Sequence, residues 1–260
     1  MRLIASFALL AGAAFAANSA DPTPAQIDDI IAKFAAKEAE FARVRGNYTY
    51  RQTVKIQELD DNGGIMGKHE MVSDIVFTPE GKRTERVVYA PVSTLHLIMT
   101  PQDEQDLRDV QPFVLTTNEI PNYNIRYLGR EKLDEIACYS FSVKPKKLEP
   151  GKRYFEGVIW VDDHDLQIVK TYGRGIGLLK KNEDQQFPKF ETYREQIDGK
   201  YWFPTYTIAN DTLNFKDSSQ RIRETVKYEN YKQFKADTVI KYGDVDDGSK
   251  TPPSAPPKKQ

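Results

Sequence analysis

Residues 154–173 read YFEGVIWVDDHDLQIVKTYG, and this stretch decides the class of fold. The first half, through Val161, is apolar on both faces apart from Glu156, which is typical of a central strand that is covered on each side. Asp162–Asp165 form a polar turn, and a strand pattern resumes at Gln167. Two strands that are joined by so short a turn predict an antiparallel hairpin.

Most of the remaining chain repeats this strand pattern. Further alternating or apolar segments, separated by turns rich in Gly, Asp and Pro, lie near residues 48–57, 68–77, 82–89, 123–131, 138–144, 190–197, 202–209 and 221–234. The connections are too short for helical crossovers, so neighbouring strands should run antiparallel. The sequence therefore predicts about ten strands in a long antiparallel sheet.

Two segments carry helix signals instead. Thr23 and Pro24 fit the N-cap and first position of a helix that ends near Gly46, with an apolar stripe of Ile27, Ile30, Ile31, Phe34 and Phe41. Thr100 and Pro101 begin a second, short helix that reaches about Val110. Two helices and about ten strands in this order favour an α+β fold.

The N-terminus has the pattern of a secretory signal. Arg2 precedes an apolar run from Leu3 to Phe15, and Ala14-Phe15-Ala16 fits the small-x-small pattern of a cleavage site. The run is too short to cross a bilayer, so no stable membrane insertion is expected. We expect a cleaved signal peptide at 1–20, one β domain at 21–243 and an exported, periplasmic product. The acidic, proline-rich stretch 244–260 is predicted to be a disordered tail.

Charge and cysteine content exclude several classes of partner and scaffold. Lys and Arg number 37 against 38 Asp and Glu, so nothing suggests the clustered basic surface that nucleic acid requires. The single cysteine, Cys138, cannot form an internal disulfide, so stability must come from a packed core.

No motif in the sequence indicates catalysis, a metal site or a cofactor. The glycines of Gly173–Gly177 lie between strand signals, which favours a bulge or bend over a phosphate loop. Asp162–Asp165, with His164, is better explained as a solvated turn than as a metal site. Cys138 lies in an alternating strand and is interpreted as a small buried hydrophobe. No catalytic residue, metal ligand or cofactor is therefore predicted.

Two hairpins resemble a known family. Gly157-Val158-Ile159-Trp160-Val161-Asp162 followed by Gln167–Thr171, and Asp198-Gly199-Lys200-Tyr201-Trp202-Phe203-Pro204, are similar to segments of the periplasmic lipoprotein-carrier superfamily (LolA/LolB-like), which includes outer-membrane lipoprotein-sorting-like proteins. The resemblance implies a large curved antiparallel sheet, a half-open β-barrel, whose concave face carries the two helices. It also implies a binding protein, not an enzyme, with an apolar concavity for acyl chains.

The expected ligand is thus an acyl chain, a lipid or a lipoprotein. Alternating apolar positions supply the candidate lining residues, which are Tyr50, Val54, Val158, Trp160, Tyr206 and Ile208. Two alternatives stay open. One is an envelope scaffold with a filled core and no small ligand, and the other is a hydrolase whose site is built from dispersed residues.

Overall fold

A computed structural model describes residues 21–78, 82–179 and 184–234. The signal at 1–20 and the tail at 244–260 lie outside the described residues and stay predictions, as does the extent of the domain, 21–243. No helix in the described part of the chain is long and apolar enough to cross a membrane.

The described residues form helices and strands in the order that the sequence predicts. The helices are α1 (Pro24–Arg45) and α2 (Pro101–Gln105), which continues through one π-helical turn at Asp106–Val110, and a 3-10 turn at Ile120–Asn122. The strands are β1 (Tyr48–Leu59), β2 (Ile65–Phe77), β3 (Arg83–Tyr89), β4 (Tyr123–Leu133), β5 (Ile136–Pro145), β6 (Tyr154–Asp162), β7 (Ile168–Ile176), β8 (Phe190–Ile197), β9 (Tyr201–Asn214) and β10 (Ser219–Gln233).

All ten strands belong to one sheet, in the order β3-β2-β1-β10-β9-β8-β7-β6-β5-β4. Each neighbouring pair is antiparallel, as predicted. The first strand pairs with the last, with Val54 opposite Val226, while β3 and β4 form the two edges. The sheet is curved but open, which confirms the α+β, half-open architecture.

Helix α1 begins where its cap predicts. The Thr23 side chain accepts a hydrogen bond from the Gln26 N–H, and the Gln26 side chain accepts one from the Thr23 N–H, which completes a capping box. Ile30, Phe34 and Phe41 of the predicted stripe are buried against the sheet. Phe34 packs on Phe141 of β5 with ring centroids 5.4 Å apart, so α1 lies over the β5 half of the sheet.

The two faces of the sheet are not equally covered. In β6 the side chains of Phe155, Ile159 and Val161 are buried under the helices, whereas Val158 and Trp160 between them are only half-buried. The prediction of a central strand is confirmed, because β6 lies between β5 and β7. The prediction that both faces of this strand are covered was wrong, since the helices pack on one face only.

Candidate functional site

The connection between β3 and β4 crosses the whole sheet. These strands are the two edges, so residues 90–122, here called the strap, must run from one edge to the other. The strap passes over the same face as α1, and the Arg45 guanidinium donates to the Pro112 carbonyl across 3.3 Å. Leu107, Val110, Phe113 and Leu115 of the strap are buried. The concave face is therefore filled jointly by α1 and the strap.

A buried carboxylate holds the start of the strap. Glu58 of β1 is fully buried and accepts hydrogen bonds from the backbone N–H groups of His96 and Leu97, with distances of 2.9 and 2.6 Å to Oε1. Burial opposes ionisation of Glu58, but these hydrogen bonds outweigh it and keep its pKa below the usual value. Gly67 of β2 leaves the space that the strap backbone occupies at Thr94 and Leu95.

The far end of the strap is held by a buried ion pair. Arg194 of β8 lies 3.1 Å from both carboxylate oxygens of Glu38 on α1, and it also donates to the Phe113 carbonyl. The Glu38 carboxylate accepts a further hydrogen bond from the Ile168 N–H at 3.1 Å. One cluster thus joins α1, the strap and two strands, and each buried charge has partners.

A second ion pair holds the middle of the strap. Asp106 pairs with Arg153, and burial raises the pKa of Asp106 to about 6 although Arg153 opposes the shift. A Cβ atom at Gly175 of β7 would collide with the Asp106 carboxylate, so the glycine allows this close approach. The run Gly173–Gly177, weighed above as a phosphate loop, lies in and just after β7, between β6 and β8.

Beneath residues 95–100 of the strap lies a cavity of about 390 Å³, here called the main cavity. It is bounded by β1, β9, β10 and residues 184–188. Its apolar lining consists of Ile56, Leu95, Leu97, Ile98, Met99, Pro188, Leu213, Phe215 and Ile222. The volume and the mainly apolar lining are those of a small-molecule site.

A smaller cavity of about 280 Å³ lies on the other side of Met99, here called the side cavity. Val54 of β1 and Leu107 of the strap line it, together with Arg83 and Glu85 of β3. Met99 lines both cavities, and its flexible side chain is the contact that they share.

The polar lining of the main cavity includes the carboxyl groups of Glu224, Asp103 and Asp184. Glu224 of β10 is 5 % exposed, and burial raises its pKa to about 7, with the negative charges of Asp103 and Asp106 adding to the effect. The Gln111 side chain donates to Glu224. Asp184 accepts a hydrogen bond from the Lys216 N–H at 2.6 Å. Three carboxyl groups therefore face or border a space whose lining is mainly apolar.

Two of the six predicted lining residues lie on the face that carries the helices. Tyr50 and Val54 are buried in one apolar cluster at the β1 end of the sheet. Val54 lines the side cavity, and Tyr50 borders a more polar hollow of about 480 Å³ among Arg51, Asp74 and Arg86. The structure thus brings these two residues together, and their binding of a ligand stays a prediction.

The other four predicted residues lie on the opposite face. Trp160 donates from its indole N–H to Glu131 at 2.8 Å, and Val158 shares its strand face. Tyr206 and Ile208 alternate with Thr207 and Ala209, which are the buried positions of β9. A ligand role for these four side chains also stays a prediction, but it concerns a different surface from the main cavity.

Sequence reasoning missed the residues that form the main cavity. Residues 94–99 (TLHLIM) are an apolar run outside any strand, and this was the available signal for the strap. Glu224 occupies an inward position between Ile222 and Val226, where an apolar residue is expected. A carboxyl group at an inward strand position is an informative exception.

The remaining chemical candidates occupy structural positions. Cys138 is 1 % exposed, and burial, together with the charge of Asp162, raises its pKa to about 12, which disfavours a reactive thiolate. The Asp162 carboxylate accepts from the N–H groups of His164 and Asp165 within the predicted turn. Among the described residues, no group of three His, Cys, Asp or Glu side chains is placed to share an ion.

No protein-family model and no curated protein matches this sequence. Several solved structures are similar to this chain. A LolA superfamily protein from Nitrosomonas europaea is 13 % identical with a TM-score of 0.38, covering 78 % of this chain and 94 % of that one. A putative outer membrane lipoprotein-sorting protein domain from Vibrio parahaemolyticus is 11 % identical with a TM-score of 0.35, covering 79 % and 94 %.

A DUF1329 family protein from Desulfovibrio piger is also similar, at 14 % identity and a TM-score of 0.36, covering 78 % of this chain and 92 % of that one. These values describe a likeness of fold alone.

Proposed function

We propose that this chain is an exported binding protein that shelters a small apolar ligand, such as a single acyl chain or lipid tail, in the main cavity. The observation that carries the proposal is the mainly apolar space of about 390 Å³ that remains beneath the strap, although α1 and the strap fill the concave face over β4–β8. Ile98 of its lining is 86 % exposed, so part of this surface is open to solvent.

Burial of apolar surface would supply the binding energy. Each CH₂ group that moves from water into the cavity contributes about 0.8 kcal/mol, before the loss of translational and rotational freedom is subtracted. A chain of a dozen carbons therefore provides enough gross energy for binding without any covalent step. Export to the periplasm, which the 1–20 pattern supports, would place the protein where lipids and lipoproteins are candidate ligands.

Native mass spectrometry tests the proposal directly. The exported chain, purified without detergent, should carry a reproducible added mass that solvent extracts as a lipid or fatty acyl compound. Leu213→Trp fills the main cavity and should abolish the added mass. Leu128→Trp introduces the same side chain at an exposed position of β4 and should retain it. A clean apo mass, together with no uptake of a fluorescent acyl probe, contradicts the proposal.

The second candidate is a scaffold that acts through its surface. The packed state of most of the concave face favours it, because α1 and the strap bury a continuous core of sixteen apolar residues there. Val87, Val88 and Tyr89 of the edge strand β3 are also about half exposed. A scaffold would give the clean apo mass, and Leu213→Trp would leave its partner binding unchanged.

One observation favours a hydrolase: Glu224, whose pKa is raised to about 7, lines a cavity. A general acid alone does not make a hydrolytic site, which needs a nucleophile or activated water and a second polarising group. The hydrogen-bond partner of the Glu224 side chain within the described chain is the Gln111 amide. The geometry therefore supports binding better than catalysis.

A further inference from the structure

The polar side chains that line the main cavity include three carboxyl groups, together with Thr100, His96 and two glutamine amides, which can also donate hydrogen bonds. Glu224, Asp103 and Asp184 are carboxyl groups, and Asp103 Oδ2 already accepts from the Thr100 N–H at 2.8 Å. Gln185 also lines the cavity, and its Oε1 atom is buried without a hydrogen-bond partner in the described chain. A buried acceptor without a partner costs free energy until a donor arrives.

The Gln111 side chain adds a second buried acceptor next to Glu224. Gln111 is 3 % exposed, and its Nε2 atom donates to Glu224, which turns its Oε1 atom away from that bond. Gln111 Oε1 has no partner among the described residues. Two amide oxygens thus have no partner in the described chain, that of Gln185 in the lining of the cavity and that of Gln111 beside Glu224.

No compensating positive charge lines this space in the part of the chain that the structure describes. The described lining contains no Lys or Arg, and its only imidazole, His96, already pairs with Glu58 at 2.8 Å. The side cavity differs, because Arg83 and Arg108 line it beside Glu85 and Glu104. Among the described residues, acidic side chains thus line the main cavity without basic ones, whereas the side cavity has both.

We propose that the main cavity takes an amphiphile with a protonated amine head group, whose ammonium pairs with Glu224 while its hydrocarbon chain lies against Ile56, Leu213 and Ile222. This inference rests on the proposed function and specifies its ligand class. An ammonium group offers three donors, which the carboxyl groups of the lining can accept. Its charge complements the carboxyl groups of Glu224, Asp103 and Asp184.

The same geometry disfavours a free fatty acid. A carboxylate head group would lie among three carboxyl groups, of which Glu224 is buried, and like charges repel more strongly where one of them is desolvated. It would also bring no donor for the Gln111 and Gln185 oxygens. A long-chain alcohol is the intermediate case, because it is uncharged and donates one hydrogen bond.

Three ligands that share a twelve-carbon skeleton but differ in head group distinguish an amine, an alcohol and a carboxylate. Dodecylamine, dodecanol and dodecanoate, each below the concentration at which it forms micelles, are titrated into the exported chain at pH 7.5 by calorimetry. Dodecylamine should bind about tenfold more tightly than dodecanol, as expected for a hydrogen bond to a charged group, and dodecanoate should bind most weakly. Glu224→Gln should remove most of the preference for the amine over the alcohol.

The matched control is Glu195→Gln, which removes the same charge from an exposed position of β8. It should keep the full preference for the amine. If dodecanoate binds as tightly as dodecylamine, the head-group inference is wrong, although the proposed function stands. If none of the three binds, the proposed function itself fails. The ligand series on the unaltered chain decides both points even if Glu224→Gln does not fold.

Discussion

The two halves of the sheet are built from the same kind of strand but are covered differently. Over β4–β9 lies α1, a helix of 22 residues, and its Phe34 and Phe41 side chains are fully buried against aromatic rings of the sheet. Over β1–β3 and β10 lies only the strap with its short α2. Beneath α1 the core is filled, whereas the main and side cavities remain beneath the strap.

This difference follows from the sizes of the covering elements. An α-helix is about 10 Å in diameter with its side chains and fills the space above a sheet. Extended chain such as residues 90–99 is thinner and covers the sheet with one row of side chains. Polar anchors therefore hold the strap where packing does not, at Glu58 and Asp106. The half that lacks the long helix α1 is consequently the half with room for a ligand.

The largest expected effect on stability comes from shortening two leucines of the strap. Leu115 is fully buried in the filled half, and Leu107 borders the side cavity. We expect Leu115→Ala to lower the free energy of unfolding by about 4 kcal/mol and Leu107→Ala by about 2 kcal/mol, because a tightly packed site cannot collapse around the lost atoms. Urea denaturation measures both values. Equal losses would contradict the proposed difference in packing.

Glu224 should make the stability of the protein depend on pH. Its pKa is about 7 in the folded protein and near 4.5 in the unfolded chain, so the folded state holds the proton more tightly. The free energy of unfolding should therefore fall as the pH rises from about 4.5 to about 7, by about 3 kcal/mol for this group. Glu224→Gln should remove that fall in the free energy of unfolding, so the variant should be more stable than the parent at pH 8.

The groups around Glu224 define the control for this experiment. The negative charges of Asp103 and Asp106 raise the pKa of Glu224. Asp106, whose own pKa is raised to about 6, makes stability depend on pH in the same direction, and the Glu224→Gln variant retains this contribution. Urea denaturation at pH 5 and pH 8 gives both curves. Glu195→Gln should leave the parent profile unchanged. A Glu224→Gln profile identical to that of the parent would show that the carboxyl group is not buried as described.

Gly175 tests the anchor in the middle of the strap. Gly175→Ala places a Cβ atom against the Asp106 carboxylate and should weaken its pairing with Arg153, at a cost of about 2 kcal/mol. Gly46→Ala is the control, because its Cβ atom would make only an ordinary contact with the Arg43 carbonyl. Thermal melts of the two variants should differ, and equal melting temperatures would mean that the strap is not tied at this point.

Much of the fold could be predicted from sequence because its signals are local. The Thr23 cap, the stripe through Phe34 and the Asp162–Asp165 turn each depend on residues within a few positions. About ten alternating segments with short connections were enough to predict one long antiparallel sheet. These features do not depend on which face of the sheet is covered.

The candidate site was harder to predict because it depends on distant contacts. Alternation shows that Trp160 and Ile159 point to opposite faces, but not which of them points to α1, and Trp160 lies on the face away from the helices. The path of the strap follows from the pairing of β1 with β10, which places β3 and β4 at opposite edges. That pairing joins residues about 170 positions apart and has no local signature.

The smallest expected effect concerns the boundary between the two cavities. Met99 lines both, so Met99→Ala should connect them at a cost of about 1 kcal/mol in stability, since the residue is only partly buried. Hexadecylamine should then gain about tenfold in affinity over dodecylamine relative to the parent protein, because the additional CH₂ groups enter the side cavity.

Met66→Ala, at a position that is 50 % exposed and outside both linings, should leave the chain-length preference unchanged. Calorimetric titration of the two amines into both variants measures the effect. An unchanged preference in Met99→Ala would mean that the side cavity does not accept hydrocarbon, which its Arg83, Glu85, Glu104 and Arg108 side chains would explain. In that case the thin cover leaves one ligand site, the main cavity, and the side cavity is a polar hollow that belongs to the edge of the sheet.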